Sequence, residues 1–350
     1  FYQPWTTLDG VLNWGSWLWG TVGVLRPDEI NPLVRSGSVV NLGLLVGAFA
    51  AALLADQFGV RFGPRRELVK GAVGGLLLGT GAAIARGCNI GGFFSATSAL
   101  SLSGLAMAAG LAIGAFLATR YLVWEAGRAR DSSGPVSLDP ARPARRRRQP
   151  YVGAAVIVAI LAAAAAYAAA GYPDRSIILL LGAVLGIVSQ RSRVCFVQAF
   201  REPFLTGDTR HTRAMLLGLG VSIVGFALVK TAIDVKADDF VRPTFWIGSL
   251  VGGIVFGVGM VLAGGCGGGS IWRAGEGHVK LWLAVGGYVV SAALVGEWLR
   301  RSGLAAGLGE SVFLPDSIGW DGAIVLLFAV IVVWYVLARW NEVTHRLTSL

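Results

Sequence analysis

Two glycine-rich segments of the sequence each carry a single cysteine. Residues 85–92 read ARGCNIGG and residues 263–270 read AGGCGGGS, which places Cys88 and Cys266 at the same point of two similar strings. Glycine permits backbone angles closed to other residues and lets a ligand approach the main chain, and the free N–H groups at the start of a following helix favour an anion. The strings therefore predict an anion pathway with the candidate residues Arg86, Gly87, Cys88, Asn89, Gly91, Gly265, Cys266 and Gly267.

The alternative interpretation of these strings is structural, because glycines also pack helices closely and cysteine is a small buried apolar residue. Recurrence of the strings disfavours it. A shift of 178 positions carries Cys88 onto Cys266, and the same shift carries the glycine pair at 74–75 onto the pair at 252–253. Two copies of one glycine–cysteine string predict an internal duplication with one thiol at the break in each half.

A third cysteine, Cys195, follows two arginines in the string QRSRVCF at residues 190–196. A guanidinium at membrane depth is costly and usually lines a cavity or pairs with an anion, so Arg193 is a candidate for balancing the charge of a substrate. The alternative is that both arginines lie at the inner interface and extend their charged ends into water. The shift of 178 positions places Cys195 on Trp17, so on that alignment the first half has no third thiol.

Three thiols and few carboxylates predict a soft, sulfur-containing substrate, because thiols are polarizable and offer weak S–H donors. A copper(I) or zinc pathway is a weaker alternative, since the sequence has no CxxC string and only three histidines. The sequence also lacks a P-loop and a dinucleotide-binding fingerprint. It therefore predicts no metal site, no cofactor and no ATP-driven transport by this chain.

The composition indicates that membrane helices must position these residues. The 350 residues are 55% hydrophobic and only 14% charged, against about 25% charged residues in soluble proteins, and the mean hydropathy is +0.65. Fifty glycines and 12 tryptophans are typical of polytopic membrane proteins, where glycine allows close helix packing and tryptophan lies at the lipid interface. The net charge of +10 comes largely from one arginine-rich stretch, so we do not expect nucleic-acid binding.

Ten apolar stretches predict an all-α protein with about nine to ten transmembrane helices, the first of them weak. They are Leu8–Leu25, Ser36–Phe58, Val69–Ala85, Gly104–Trp124, Tyr151–Gly171, Ser176–Leu205, Met215–Asp234, Phe245–Ala263, Leu281–Leu299 and Gly319–Trp340. Two polar stretches, Cys88–Leu102 and Cys266–His278, follow a span directly and are too short to cross. Non-helical backbone at membrane depth needs protein or a water-filled cavity around it, so both are predicted to be re-entrant elements with short half-helices.

A polar linker divides the chain into a first transmembrane repeat, residues 1–124, and a second, residues 151–350. The linker, residues 125–150, contains an arginine run and has the composition of a cytoplasmic loop. With the basic loops placed inside, the span at Val69–Ala85 starts inside, whereas its counterpart near Phe245 starts outside. The repeats are therefore predicted to be inverted, an arrangement typical of transporters with a central site.

At its three cysteine motifs the sequence resembles the YeeE/YedE family of membrane proteins, which is associated with the transport of sulfur compounds. The stretches that carry the resemblance are Gly43–Ala55, Val73–Phe94, Gln190–Thr206 and Leu250–His278. They look closest to the YedE branch, which has been linked to selenium metabolism. The resemblance implies two inverted halves, thiosulfate uptake relayed between thiols that correspond to Cys88, Cys195 and Cys266, and a cytoplasmic sulfur-carrier partner of the TusA type.

Residues and resemblance together predict a multi-pass transporter of the bacterial cytoplasmic (inner) membrane, not an enzyme. Its expected partners are the lipid bilayer and a small reduced-sulfur oxyanion, with thiosulfate as the first candidate. One alternative is transport of a selenium compound, because thiosulfate uptake is best established outside the YedE branch. Another is a membrane thiol enzyme that forms a persulfide on one cysteine, which would need an activated thiolate.

Overall fold

The computed structural model describes residues 5–26, 28, 30–128, 148–232 and 246–348, with the side chains of 231 and 232 left aside. Most of the predicted linker, residues 129–147, lies outside this range together with most of its arginines. The span ends predicted at Asp234 and Phe245 lie outside it as well.

The described residues are almost entirely helical. The α-helices, numbered in chain order, are α1 (Thr7–Thr21), α2 (Ser36–Leu54), α3 (Arg65–Ala85), α4 (Leu102–Arg128), α5 (Gln149–Ala169), α6 (Pro173–Ser192), α7 (Phe196–Leu205), α8 (Arg210–Ala232), α9 (Ile247–Ala263), α10 (Gly267–Gly275), α11 (Val279–Arg301) and α12 (Leu314–Thr344). Between α3 and α4 the chain forms a π-helical segment, Asn89–Ser95, that continues as the short α-turn Ala96–Ser98. A 3₁₀ turn, Leu304–Leu308, precedes α12.

Nine helical stretches of the described residues are long and apolar enough to cross a membrane. The prediction of an all-α polytopic membrane protein is thereby confirmed. Helix α1 has 15 residues, fewer than the roughly 20 that a span needs, in keeping with its weak apolar pattern. Exposed apolar side chains such as Tyr151, Leu217 and Val325 cover α5, α8 and α12, as expected of helices that face lipid.

The stretch predicted as one span, Ser176–Leu205, is two helices. Helix α6 ends at Ser192, Arg193 adopts a left-handed conformation with φ 57°, and Cys195 is extended with φ −144° before α7 begins. The stretch Pro173–Leu205 still counts as one of the nine candidate spans, but the prediction missed the break within it because apolar residues continue on both sides. A left-handed residue that ends a helix leaves no signal in the hydropathy.

Glycines bring the central helices α3 and α9 into backbone contact. A Cβ atom added at Gly74 would lie 2.5 Å from the backbone nitrogen of Ala263, and one at Gly81 would lie 2.5 Å from that of Phe256. Residues further along α3 therefore contact residues earlier in α9, so the two helices run antiparallel.

Each of these two helices also has a parallel neighbour. Helix α11 runs parallel to α3, since Gly71 lies against Lys280 and Gly79 against Tyr288. Helix α4 runs parallel to α9 through similar glycine contacts at positions 110 and 114. The largest cluster of buried apolar side chains lies among these helices and includes all three cysteines.

Candidate functional site

All three cysteines are buried, free thiols that lie directly before a short helix. The exposed fractions of Cys88, Cys195 and Cys266 are 0%, 3% and 2%. Cys88 precedes the π-helical segment, Cys195 precedes α7, and Cys266 precedes α10. At Cys266 the backbone N–H of Gly269 donates a hydrogen bond of 3.2 Å to the sulfur, so the first turn of α10 directs N–H groups towards this thiol.

The three thiols converge on one region from different parts of the chain. The Sγ atoms of Cys195 and Cys266 are 3.9 Å apart. Cys88 lies close to this pair, because it packs against Gly267, the residue after Cys266. A Cβ atom added at Gly267 would lie 3.3 Å from the Cβ of Cys88. A path that passes one thiol therefore passes close to the others.

The glycines predicted beside the cysteines lie where a side chain would collide. A Cβ atom at Gly87 would lie 2.8 Å from the Cα of Gly92, and one at Gly265 would lie 2.7 Å from the Oγ of Ser270. A Cβ at Gly91 would lie 2.4 Å from the Cβ of Thr6. These positions hold the two cysteine breaks tightly against their surroundings, which fixes where each thiol lies.

Two buried polar side chains near the thiols make no hydrogen bond with any described residue. Asn89 and Ser270 are both 0% exposed, and both polar atoms of the Asn89 amide and the Ser270 hydroxyl lack a partner. A buried polar group without a partner costs about 1–3 kcal/mol. Such groups beside a thiol cluster are suited to a polar ligand that arrives and leaves.

Arg86 lies at the end of the bundle where α3 finishes. It caps α3 in a left-handed conformation with φ 52° and lines an open vestibule of about 930 Å³. Charged side chains surround this vestibule: Asp9, Arg26, Asp28, Arg86, Glu297, Arg300 and Arg301. Leu8 and Ala83 also line the vestibule, and Arg86 is two residues from Cys88 in the chain.

Arg193 lies at the opposite end of the bundle, where α3 begins. Its guanidinium donates hydrogen bonds of 2.6 Å to Glu276 Oε1 and 2.6 Å to Gln57 Oε1. The Gln190 amide donates to the same Glu276 oxygen at 3.2 Å. A second cation approaches from the neighbouring loop, since Arg61 Nη1 is 2.9 Å from His278 Nε2. The structure therefore does not bring Arg86 and Arg193 together, because they lie near opposite ends of α3.

Glu276 is the buried centre of this inner polar network. Its side chain is 2% exposed, while that of Arg193 is 44% exposed. Burial raises the pKa of Glu276, but His278, whose Nε2 lies 3.6 Å from Glu276 Oε2, and the charge of Arg193 outweigh it and hold the pKa below its usual range. The carboxylate is therefore ionised at neutral pH, and the charge of Arg193 is already matched by a protein group.

Sequence reasoning missed four residues of the thiol region. Thr6 Oγ1 donates a hydrogen bond of 3.2 Å to Cys88 Sγ, and the Tyr288 hydroxyl lies 3.3 Å from Thr7 Oγ1. Single threonines and tyrosines inside apolar stretches carry no motif. Only Ser270 had a usable signal, because it closes the second glycine–cysteine string.

Comparison with known proteins settles the family. The family model for sulphur transport matches residues 4–117 and 191–349, which is most of the chain and includes all three cysteines. The chain belongs to the sulphur-transport family. The resemblance to YeeE/YedE proteins is confirmed, and with it the prediction of a multi-pass membrane transporter for sulfur compounds.

Relatives with assigned names fall into two groups. The probable transporter YedE of Escherichia coli (strain K12) is 29% identical over 321 residues, which cover 89% of this chain and 77% of that protein. The thiosulfate transporter TsuA of the same strain is 39% identical over 136 residues, 38% of this chain and 36% of that protein. TsuA of Spirochaeta thermophila is 36% identical over 130 residues, 36% of this chain and 39% of that protein.

Proposed function

We propose that the chain takes up thiosulfate across the bacterial cytoplasmic membrane along a path lined by Cys88, Cys266 and Cys195. The observation that carries the proposal is the convergence of three buried thiols, two of them 3.9 Å apart, in a member of the sulphur-transport family. Similarity to proteins named thiosulfate transporters supports the choice of substrate.

Thiosulfate fits this site chemically. Its terminal sulfur is soft and accepts weak S–H hydrogen bonds from thiols, while its charge is balanced by backbone N–H groups at the start of α7 and α10. A single hydrogen bond contributes only about 0.5–1.5 kcal/mol. Several weak contacts in sequence suit conduction, because one tight site would trap the anion.

The proposed path runs from the vestibule beside Arg86 to the thiol cluster and leaves past the inner network of Glu276. Gly87, Gly91, Gly265 and Gly267 hold the backbone against the path, and Asn89 offers its unpaired amide to the anion. Arg193 acts at the exit in this proposal, because its guanidinium lies in the inner network.

We also propose that residues 1–124 and 151–350 form two inverted repeats joined by an inside linker, residues 125–150. Antiparallel packing of α3 and α9, which correspond under the 178-residue shift, supports this division. The re-entrant character of the cysteine segments belongs to the same proposal, as does a cytoplasmic sulfur-carrier partner of the TusA type.

The deciding experiment measures uptake of radiolabelled thiosulfate into proteoliposomes by the wild type, Cys88→Ala and Cys266→Ala. We expect saturable uptake that falls about threefold to tenfold in each variant, as loss of one such weak contact implies. Thr80→Ala is the matched control, because its hydroxyl bonds only to Leu76 O of its own helix and its loss should leave uptake unchanged. Wild-type uptake by folded Cys88→Ala protein would contradict the proposal.

Competitors and mass spectrometry separate the other functions. Uptake of labelled selenite in the absence of thiosulfate flux would assign the path to a selenium compound. A mass gain of one sulfur atom on a cysteine, reversed by a reductant, would point to a persulfide-forming enzyme.

A further inference from the structure

Thr6 is a fully buried residue that contacts Cys88 through two hydrogen bonds. Its Oγ1 donates to Cys88 Sγ at 3.2 Å and accepts from the backbone N–H of Cys88 at 3.2 Å. The exposed fraction of both residues is 0%. The same hydroxyl accepts from Leu8 N at 3.4 Å, so it caps α1 and fixes Cys88 at the same time.

The surroundings of Thr6 match those of Cys195 in the other half. The shift of 178 positions pairs Gly91 with Gly269. A Cβ atom added at Gly91 would lie 2.4 Å from Thr6 Cβ, and one added at Gly269 would lie 2.7 Å from Cys195 Sγ. Equivalent glycines of the two cysteine segments therefore lie against Thr6 and against Cys195.

The backbones of the two residues match as well. Thr6 has φ −133° and ψ 141°, Cys195 has φ −144° and ψ 129°, and each directly precedes a helix. The partner cysteines also agree, with φ −82° at Cys88 and φ −79° at Cys266. The shift of 178 positions does not align Thr6 with Cys195, because α1 and the loop after it are together longer than α7 and the loop after it.

We propose that Thr6 is the counterpart of Cys195 in the first half and orients the Cys88 thiol for the substrate, a role that rests on the proposed function. A hydroxyl that donates to the Cys88 sulfur leaves the S–H of Cys88 to donate elsewhere. The path then contains a hydroxyl–thiol pair, Thr6 with Cys88, and a thiol–thiol pair, Cys195 with Cys266. Thr6 is thus a positioning residue that makes Cys88 a donor to an anion.

Thr6→Val removes the hydroxyl at nearly constant volume, and Thr6→Ser retains it. We expect thiosulfate uptake to fall about threefold to tenfold in Thr6→Val, as the loss of one hydrogen bond implies, and to stay near wild type in Thr6→Ser. Thr21→Val is the matched control at the other end of α1, because its hydroxyl bonds only to Leu18 O. Thr6→Gly replaces Thr6→Val if the latter does not fold, because glycine is tolerated as a helix N-cap.

A second measurement separates positioning from a structural role. In a Cys195→Ala/Cys266→Ala background Cys88 is the sole cysteine, since the chain has three, and its S–H stretching band in the infrared reports this thiol alone. Thr6→Val in that background should shift the band, whereas Thr21→Val should not. An unmoved band, or wild-type uptake by Thr6→Val, would overturn the role of Thr6. Wild-type uptake by Cys88→Ala would instead overturn the proposed function.

Discussion

At the scale of single residues, the thiol region combines satisfied and unsatisfied polar groups. Thr6 and Cys88 share two hydrogen bonds, whereas the Asn89 amide next to them has none within the described part of the chain. A fold that keeps a buried amide unpaired gives up stability at that position. Sites shaped for function are where such costs are expected.

Asn89→Leu should separate stability from transport. Removing the unpaired amide at similar volume should leave the thermal midpoint unchanged or raise it. The corresponding gain in the free energy of unfolding is at most about 1–3 kcal/mol. Thiosulfate uptake should fall about tenfold, because a polar contact with the anion is lost. Fluorescence-detected unfolding in detergent and proteoliposome uptake measure the two effects.

The matched control for this variant is Asn341→Leu. Asn341 is also buried, but its amide donates 2.7 Å to Pro203 O and accepts 2.9 Å from Leu347 N. Its replacement should lower the thermal midpoint and leave uptake per folded molecule unchanged. A lower midpoint in Asn89→Leu with uptake intact would remove Asn89 from the proposed path.

Glu276 predicts a pH dependence of stability with a defined sign. Its pKa is lowered in the folded protein, so its stabilisation is complete above the ordinary carboxyl pKa of about 4.3 and is lost as the pH falls through the folded pKa. The thermal midpoint should therefore stay level between about pH 7 and 5 and drop below about pH 4. Because Arg193 is partly exposed, the contribution at neutral pH should be about 1 kcal/mol or less.

Glu276→Gln tests this assignment. It should lower the midpoint slightly at neutral pH and flatten part of the acid decline, whereas Glu310→Gln, an exposed position, should leave the profile unchanged. An acid decline of the same size in Glu276→Gln and wild type would show that other carboxylates control it.

Candidate site residues could be predicted from the sequence where they belong to a repeated or unusual string, and could not be predicted where a single residue stands in an apolar stretch. The repeated string identified Cys88 and Cys266 from the sequence, and the arginines before Cys195 identified the third thiol. Thr6 was not predicted because its proposed role depends on a contact with Cys88, 82 residues further along the chain. A single hydroxyl in an apolar stretch has no periodicity or spacing to reveal such a contact.

At the scale of elements, glycine stripes determine which helices touch. Helices α2 and α6 run parallel, with glycines of each, at positions 43, 47, 182 and 186, against the backbone of the other. Small residues four apart indicate close helix packing in membranes, so the sequence indicates which face of α2 and of α6 packs against another helix. The pairing of these faces could not be predicted, because several helices, α2, α3, α4, α6 and α9, carry similar glycine stripes.

Gly47→Ala should weaken the packing of α2 on α6. The added Cβ would lie 2.1 Å from the carbonyl oxygen of Ala183, and a backbone atom cannot turn aside as a side chain can. We expect a loss of about 1–3 kcal/mol, as for overpacked cores, measured as a lower thermal midpoint. Uptake per folded molecule should be unchanged, because the added Cβ meets the backbone of Ala183 on α6 and none of the three cysteines.

Gly286→Ala is the control for this comparison. A Cβ at Gly286 on α11 meets nothing within 4 Å, and alanine favours a helix over glycine by about 0.5–1 kcal/mol. It should leave the midpoint unchanged or raise it. Equal destabilisation by both variants would contradict a role for close packing at Gly47.

The break between α6 and α7 shows where element prediction failed. Hydropathy continued through Arg193 and Cys195, and the apolar stretch was long enough for one tilted span. The left-handed Arg193 and the extended Cys195 turn it into a helix, a break and a shorter helix. The arginines before Cys195 are an unusual feature of the sequence, but the side-chain contacts of Gln190 and Arg193 with Glu276 join segments more than 80 residues apart.

At the scale of the whole molecule, the two ends of the proposed thiol path differ. One end opens into a vestibule of about 930 Å³, while the other is occupied by the ion pair of Arg193 and Glu276 with its glutamine neighbours. The described part of the molecule is therefore open at one end and occupied by paired charges at the other. In the proposed function, the substrate is captured at the open end.

Charges at the vestibule predict how capture depends on salt. Arg300 and Arg301 both pair with Glu297, and Asp28 pairs with Arg35, so much of the local charge is neutralised in place. Arg86 forms no ion pair with the described residues and lies next to the segment that carries Cys88. It should attract a divalent anion to the mouth of the path without holding it at the thiols.

Arg86→Gln should therefore raise the KM for thiosulfate about threefold to tenfold at low ionic strength with little change in maximal rate. The difference should shrink as salt is added, because the screening length falls from about 10 Å at 0.1 M to about 3 Å at 1 M. Uptake kinetics in vesicles with the vestibule outward provide the measurement. Arg66→Gln, an exposed charge on the opposite end of α3, should leave KM unchanged at every salt concentration. A lower maximal rate in Arg86→Gln at unchanged KM would place Arg86 inside the conduction step, and a KM effect insensitive to salt would show that its contact with the anion is direct.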